Sequence, residues 1–305
     1  MRDISLIPFV CGAGGSTAGA ERGPLYCFEH DLPAALRAEG ISVDWQFDPH
    51  THWAAPYGAQ AHTALPVRGD PRRRETVQWH NQHLAQQVAA VIRNNQRAVT
   101  IGGDHSMAAG SMAGAQIALG PETVLGLVWV DAHTDLHTFA SSTTKALHGM
   151  PVGSLLGLDD TLAIPGAKYP VFTPDNVVYV GLRDVDPGEI LHAEKIGLPI
   201  PSIEDLRAAG LAASVQNKIN ALKKRCDHIL LSIDLDAFAE TLAPAVGTLV
   251  PGGFTFEEII PILRKLVETH SVPLIEVVEF NPTLLGTEPT YALLTKILRE
   301  LLKSA

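Results

Sequence analysis

The sequence predicts an α/β fold with three layers, αβα, around a mostly parallel central sheet. Short apolar runs alternate along the chain with amphipathic stretches. Most of these runs are apolar at consecutive positions, which is typical of strands covered by helices on both faces. No internal repeat, low-complexity segment or obvious linker divides the chain. We therefore expect a single domain over residues 1–305.

Six strands are predicted, at residues 4–11, 98–101, 124–130, 177–182, 228–233 and 272–280. The first ends at a glycine, which favours a strand over a signal peptide. The second stops at Gly102 and Gly103, and the third and fifth run directly into aspartates.

Three helices are predicted from apolar residues that recur every three or four positions. The first spans residues 76–94, the second residues 211–224, and the last, leucine-rich helix spans residues 289–302. Helices between strands supply the crossovers that parallel pairing requires.

Composition excludes several classes of protein. Acids outnumber bases 33 to 23, for a net charge of −10, which argues against a nucleic-acid partner. An apolar content of 46% excludes intrinsic disorder. No apolar run reaches the roughly 18 residues of a transmembrane helix, so no membrane partner is expected. Three scattered cysteines, Cys11, Cys27 and Cys226, predict reduced thiols and a cytoplasmic location.

Chemistry is expected where the predicted strands end, because ligands of parallel sheets bind beyond the carboxyl ends of the strands. Four strands deliver a carboxylate or an imidazole to that edge. The segments are GGDHS at 102–106, DAHTD at 131–135, DLD at 234–236, and Glu279 near the end of the last strand.

Spacing suggests that six of these side chains form a metal site. In extended backbone, residues two apart point the same way, which would align the alternating residues of DAHTD and DLD. The four aspartates need a counter-charge, and two divalent cations supply it. Carboxylate-rich ligands with a few imidazoles favour Mn²⁺ over Zn²⁺. The candidate ligands are His105, Asp131, His133, Asp135, Asp234 and Asp236.

Other polar segments are expected to be structural. The glycine-rich segment at 12–15 is not followed by the lysine and hydroxyl residue of a phosphate loop, so it predicts a turn. The arginines at 72–74 predict a solvated loop. We expect four histidines to lie on the surface: His50, His52, His80 and His83. Asp104, beside two glycines, predicts a turn residue or one that orients a ligand.

These motifs, together with GT at 247–248 and VVEFNP at 277–282, resemble the ureohydrolases, the family of arginase and agmatinase. The resemblance covers most of the chain, from about Gly23 onward. It implies an arginase-like fold, two Mn²⁺ ions, and trimers or hexamers. One ion would take His105, Asp131, Asp135 and Asp234; the other would take His133, Asp131, Asp234 and Asp236. Asp131 and Asp234 would bridge both ions.

Two segments are most similar to arginase itself. LHTFASSTTKALHG follows Asp135 and places His148 at the arginase spacing, and GLRDVDPGE spans residues 181–189. The resemblance implies that His148 shuttles protons and that Asp135 passes a proton to the leaving amine. It also implies that Glu279 and Thr248 lie near the guanidinium, and that Asp186 holds the substrate α-amino group. Glu189 would support that end of the site.

Departures from the arginase pattern concern amino-acid recognition and the affinity of one metal ion. His137 stands where an asparagine is usual, Thr144 replaces a serine, and Ala146 replaces a second asparagine. Phe238, Ala239 and Glu240 replace a Leu-Asp-Pro segment. We expect His137 and Thr144 to bind the substrate carboxylate.

The resemblance implies hydrolysis of L-arginine to urea and L-ornithine by a hydroxide that the two ions share. Other amidino hydrolases remain open, acting on agmatine, a guanidino acid or formiminoglutamate. A non-catalytic metal-binding homologue is the remaining alternative.

Overall fold

Seven parallel strands form the sheet of this protein, in a computed structural model that describes residues 3–48 and 70–303. The strands are β1 (Ile4–Pro8), β2 (Val43–Trp45), β3 (Arg97–Ile101), β4 (Leu125–Val130), β5 (Val177–Val180), β6 (His228–Asp234) and β7 (Leu274–Val278). Their order across the sheet is β2-β1-β3-β7-β6-β4-β5, and each neighbouring pair is parallel. The carboxyl ends of β3, β7, β6 and β4 therefore lie side by side.

The helices of the described residues cover both faces of this sheet. They are α1 (Arg22–Glu29), α2 (Leu32–Arg37), α3 (Pro71–Arg93), α4 (Ala108–Leu119), α5 (Pro151–Leu155), α6 (Pro187–Ile196), α7 (Ile203–Ala208), α8 (Leu211–Lys223), α9 (Phe256–Thr269) and α10 (Thr287–Leu302). Alternate residues of β4 enter two separate cores: Val128 and Val130 join one, and Leu127 and Trp129 join the other. The predicted three-layer αβα fold is confirmed.

Helix α4 was not predicted, and its composition explains why. It is buried from Ala108 to Gln116 and so shows no polar face. Its glycines let it pack closely on α3: a Cβ at Gly110 would lie 2.5 Å from the Asn81 carbonyl, and one at Gly114 would lie 2.5 Å from the Ala85 carbonyl. A helix apolar on all sides carries no periodic signal.

Two surface predictions are wrong within the described residues. The arginines at 72–74 lie in the first turn of α3, and Arg73 is only 3% exposed. His80 is fully buried on the same helix. His50 and His52 lie outside the described residues. Predicted strand ends also differ, since β1 stops at Pro8 and β7 spans only Leu274–Val278.

The three cysteines are buried free thiols. Within residues 3–48 and 70–303, none of the helices combines the length and apolar character needed to span a bilayer.

Gly103 is the point where the end of β3 packs against the segment after β1. A Cβ at this position would lie 1.9 Å from the Cys11 carbonyl oxygen, which accepts a hydrogen bond from Asp104 N at 3.1 Å. The Gly103 carbonyl accepts a hydrogen bond from Glu279 N at 2.9 Å. The absence of a side chain therefore permits the close backbone approach that joins three segments of the site.

We expect Gly103→Ala to lower the free energy of unfolding by about 1–3 kcal/mol or more, because the obstructing atom belongs to backbone. Urea unfolding followed by circular dichroism measures this. Gly188→Ala is the matched control, since its nearest new contact is 3.5 Å away. It should change stability by less than about 0.5 kcal/mol. If Gly103→Ala is as stable as wild type, the end of β3 and the segment after β1 can move apart without cost, and the prediction is wrong.

Candidate metal centre and substrate pocket

Four predicted ligands meet around one nitrogen at the carboxyl edge of the sheet. His105 Nδ1 lies 3.0 Å from Asp131 Oδ2, 3.1 Å from Asp234 Oδ2 and 3.3 Å from Asp135 Oδ2. All four residues are buried. They come from three different strand ends, those of β3, β4 and β6.

A second group lies beside the first and shares Asp131. His133 Nδ1 lies 3.1 Å from Asp236 Oδ2 and 3.4 Å from Asp131 Oδ1. Asp131 thus directs one oxygen to each group. Asp234 Oδ1 instead accepts a hydrogen bond from Asp236 N at 2.7 Å. Asp234 therefore belongs to the first group, through the contact of its Oδ2 with His105.

The donor atoms of this centre fit metal ions. His105 Nδ1, Asp131 Oδ2 and Asp236 Oδ2 are buried and have no hydrogen-bond partner. The other ring nitrogen, His105 Nε2, lies 2.8 Å from Ser232 Oγ. When Nε2 carries the proton and donates it to Ser232, Nδ1 presents a lone pair to three carboxylates. Cations bound between these atoms would satisfy all of them at once.

The acids of the centre differ in their proton affinity. Burial, reinforced by neighbouring negative charge, raises the pKa of Asp135, Asp234 and Asp236. Burial also opposes ionisation of Asp131, but the His105 and His133 imidazoles outweigh it and lower the Asp131 pKa. A cluster of this charge exchanges protons for divalent cations.

Turns, rather than strand alternation, make these side chains converge. Asp135 adopts a left-handed backbone with φ of 49°. His105 and Asp236 lie in short 3₁₀ turns, at His105–Met107 and Leu235–Ala237. The expected extended backbone beyond the strand ends is therefore wrong, although the six side chains do meet.

His148 and Glu279 form a pair beside the first group. His148 Nδ1 lies 3.1 Å from Glu279 Oε1, which also accepts a hydrogen bond from His105 N at 2.8 Å. Burial raises the pKa of Glu279, but the bond with His148 outweighs it and the net pKa is lowered. Glu279 has a φ of 68°, a backbone strain of the kind found at functional sites.

The far end of the site contains three of the departures from the arginase pattern, at His137, Thr144 and Ala146. His137 Nε2 lies 2.9 Å from Asp186 Oδ2, and Nδ1 lies 3.1 Å from Ser141 Oγ. Both ring nitrogens of His137 are thus engaged. Glu189 is 5% exposed, and its carboxylate accepts hydrogen bonds from Leu136 N and Asp186 N, each at 3.0 Å. Glu189 therefore holds the backbone of that region.

A cavity of about 230 Å³ connects the two ends. His105, His133, Asp135 and Asp234 line its base, and His137, Thr144, Asp186 and Glu189 line its far end. His148 and Thr248 lie along its wall. The structure therefore places the sequence-predicted residues in one pocket or in contact with it.

Comparison with known proteins identifies the family. The sequence model of the Arginase family matches residues 3–303. The chain belongs to the arginase family. It is 32% identical over 290 residues to arginase of Bacillus caldovelox, covering 93% of this chain and 92% of that protein. It is 36% identical over 296 residues to human arginase-1, with coverage of 93% and 86%.

Solved structures agree with this assignment. The structure of Bacillus caldovelox arginase matches 99% of this chain and 98% of its own, with a TM-score of 0.87 and 30% identity. This arginase-family protein has the arginase-like fold and is a hydrolase of guanidino C–N bonds. Its buried histidine and aspartate groups fit a metal-dependent ureohydrolase with a binuclear centre.

Sequence reasoning missed one residue that lines the pocket of this arginase-family protein and one that supports the site. Ser16 lines the cavity, and it follows the glycines that were expected to form only a turn. The signal was available, because these glycines follow the carboxyl end of β1. Arg183 donates hydrogen bonds to the carbonyls of Asp236 and Val250. It thereby holds the segment after Asp236, and only the fold brings it there.

Proposed function

We propose that this protein is a binuclear manganese hydrolase that converts L-arginine to urea and L-ornithine. One observation carries the proposal: two ligand groups share Asp131 beside a pocket that is lined by His148, which contacts Glu279. Membership of the arginase family supports the reaction class.

The metal ions are proposed as Mn²⁺ because four carboxylates and two imidazoles make a ligand set that suits it. His105, Asp131, Asp135 and Asp234 would hold one ion, and His133, Asp131, Asp234 and Asp236 the other. When bound, such ions lower the pKa of water towards about 7 and so supply a nucleophile at neutral pH.

The chain itself binds the guanidinium and moves protons. The buried Glu279 carboxylate, with its lowered pKa, provides the negative charge that a guanidinium requires. Thr248 lines the cavity and adds a hydroxyl. Asp135 Oδ2 passes a proton to the leaving amine, and His148 exchanges protons between the pocket and water.

The α-amino group of arginine is assigned to Asp186 and its carboxylate to Thr144. The Thr144 hydroxyl oxygen accepts a hydrogen bond from Ala146 N at 3.2 Å and lies 3.4 Å from Ser142 Oγ. When Ser142 is the donor of that contact, the Thr144 proton is available to the substrate. His137 was expected to share in binding the carboxylate, but both of its ring nitrogens already have partners. We therefore assign it to orienting Asp186 through their 2.9 Å contact.

Urea release tests the proposed function. The protein is loaded with Mn²⁺ and offered L-arginine, agmatine, guanidino acids and formiminoglutamate, with and without a chelator. We expect metal-dependent hydrolysis with L-arginine as the preferred substrate. No release from any of these compounds would refute the proposal.

We expect kcat/KM for L-arginine to exceed that for agmatine by about 10- to 10⁴-fold, because agmatine lacks the carboxylate that Thr144 binds. Thr144→Val removes the hydroxyl at nearly constant volume. It should lower kcat/KM for L-arginine and leave kcat/KM for agmatine unchanged. Thr143→Val is the control, since no contact of Thr143 with the pocket is recorded. Agmatine matching arginine in the wild type would contradict the assignment.

A guanidino-acid hydrolase is the second candidate, and the His137–Asp186 contact favours it. An acid already paired with an imidazole offers less to an α-amino group. A substrate with a carboxylate but no amino group would then be preferred, and the same panel of compounds distinguishes the two.

We also propose a single-domain, cytoplasmic homo-oligomer, a trimer or hexamer. Three buried free thiols support the compartment. The oligomer rests on the family resemblance.

A further inference from the structure

Residues 12–17, which we name the glycine loop, connect the helix layer to the proposed active site. Arg73 anchors the loop from α3: its Nε donates to the Ala13 carbonyl at 2.7 Å, and a terminal nitrogen donates to the Gly15 carbonyl. Arg73 is 3% exposed, so these bonds form away from water. A guanidinium fork that binds two carbonyls of one loop fixes the loop conformation.

The other side of the loop contacts His148. The Gly14 carbonyl accepts a hydrogen bond from His148 N at 3.2 Å. The Ser16 hydroxyl lies 3.2 Å from His148 Nε2. Gly14 N in turn donates to Asp104 Oδ2 at 2.9 Å, which ties the loop to the turn that carries His105.

Hydrogen-bond roles around His148 follow from the carboxylate on its other edge. The Glu279 carboxylate accepts only, so His148 Nδ1, at 3.1 Å, carries the ring proton. His148 Nε2 then presents a lone pair, and the Ser16 hydroxyl donates to it. The ring is thereby fixed at both edges, with Ser16 exposed at the mouth of the pocket.

We propose that Ser16 is a positioning residue for His148 and that Arg73 holds Ser16 in place. The proposal rests on the proposed function, because it assigns His148 a part in proton transfer. It adds two residues that the metal ligands and the substrate contacts do not require.

A double-mutant cycle tests the role of Ser16. Ser16→Ala should lower kcat on L-arginine by about 3- to 10-fold, the effect of one hydrogen bond, with smaller change in KM and none in metal content. Ser16→Thr keeps the hydroxyl and should recover most of the rate. In the His148→Ala background, Ser16→Ala should have no further effect, because its partner is gone. Ser214→Ala, on the surface of α8, is the control.

Arg73 is tested by two variants, because removal of a buried cation risks misfolding. Arg73→Met removes both donors and should lower kcat. The double variant Arg73→Met, Ser16→Ala should have the same kcat as Ser16→Ala alone, because Arg73 acts through Ser16. Arg73→Lys keeps the charge but loses the fork, and it should give an intermediate kcat. Circular dichroism establishes folding for each. A folded Arg73→Lys variant with wild-type kcat would overturn the role of Arg73.

Histidine ¹⁵N spectra decide the proposal independently of activity. The selectively labelled protein is freed of metal by a chelator, because Mn²⁺ beside His148 would broaden its resonances. Wild type should then show His148 protonated at Nδ1, with an Nε2 resonance that shifts in Ser16→Ala and returns in Ser16→Thr. An unchanged resonance, or an equal loss of kcat with and without His148, would overturn the role of Ser16. Absence of hydrolysis by wild type would refute the proposed function, while the spectra still decide this inference.

Discussion

Asp131→Asn should remove both metal ions and lower the rate of hydrolysis by more than about 10²-fold. This is a larger loss than the one that follows mutation of a residue that only supports a metal ligand. The reason is the position of Asp131, whose two oxygens face His105 and His133 at 3.0 Å and 3.4 Å. An amide keeps the size of the side chain but removes the charge that both ions share. Elemental analysis of the dialysed protein measures the metal content per chain.

Asp236→Asn is the matched comparison for that experiment. Asp236 Oδ2 faces His133 and not His105. This variant should therefore lose the ion at His133 and keep the ion at His105. Asp234→Asn should cost both ions if Asp234 bridges as the family resemblance implies. Full metal occupancy in Asp131→Asn would refute the shared-ligand arrangement, whatever the activity.

His148→Ala should lower kcat by about 10- to 10⁴-fold, with little change in metal content, because it removes a proton carrier and no ligand. Its side chain is 14% exposed and bonded to Glu279, which places it between the pocket and water. Steady-state kinetics and metal analysis on the same preparation separate the two effects.

Added imidazole should restore part of the lost rate, since a small base can occupy the space of the missing ring. His30→Ala, an exposed histidine at the end of α1, is the control and should retain wild-type kcat. A wild-type rate in His148→Ala across the pH range would assign His148 to the loop structure alone.

Most of the parallel sheet was predictable because its strands are uniformly apolar and end at glycines or aspartates. The proposed metal ligands could be found for a related reason, since each lies at a strand end or in the segment that follows one. The edge strand β2, Val43–Trp45, was not predictable, because it is too short to show a pattern. Helix α4 was not predictable either, because it is apolar on all sides and so has no polar face.

The sequence by itself determined the strand ends at which chemistry lies, together with the identities and number of the charged side chains there. Only the tertiary structure decided which oxygen faces which imidazole, because turns at Asp135 and Asp236 redirect side chains that strand spacing would have aligned differently. It also decided that His137 pairs with Asp186 and that buried Arg73 supports the glycine loop. These contacts join residues far apart in sequence, so local pattern and propensity carry no trace of them.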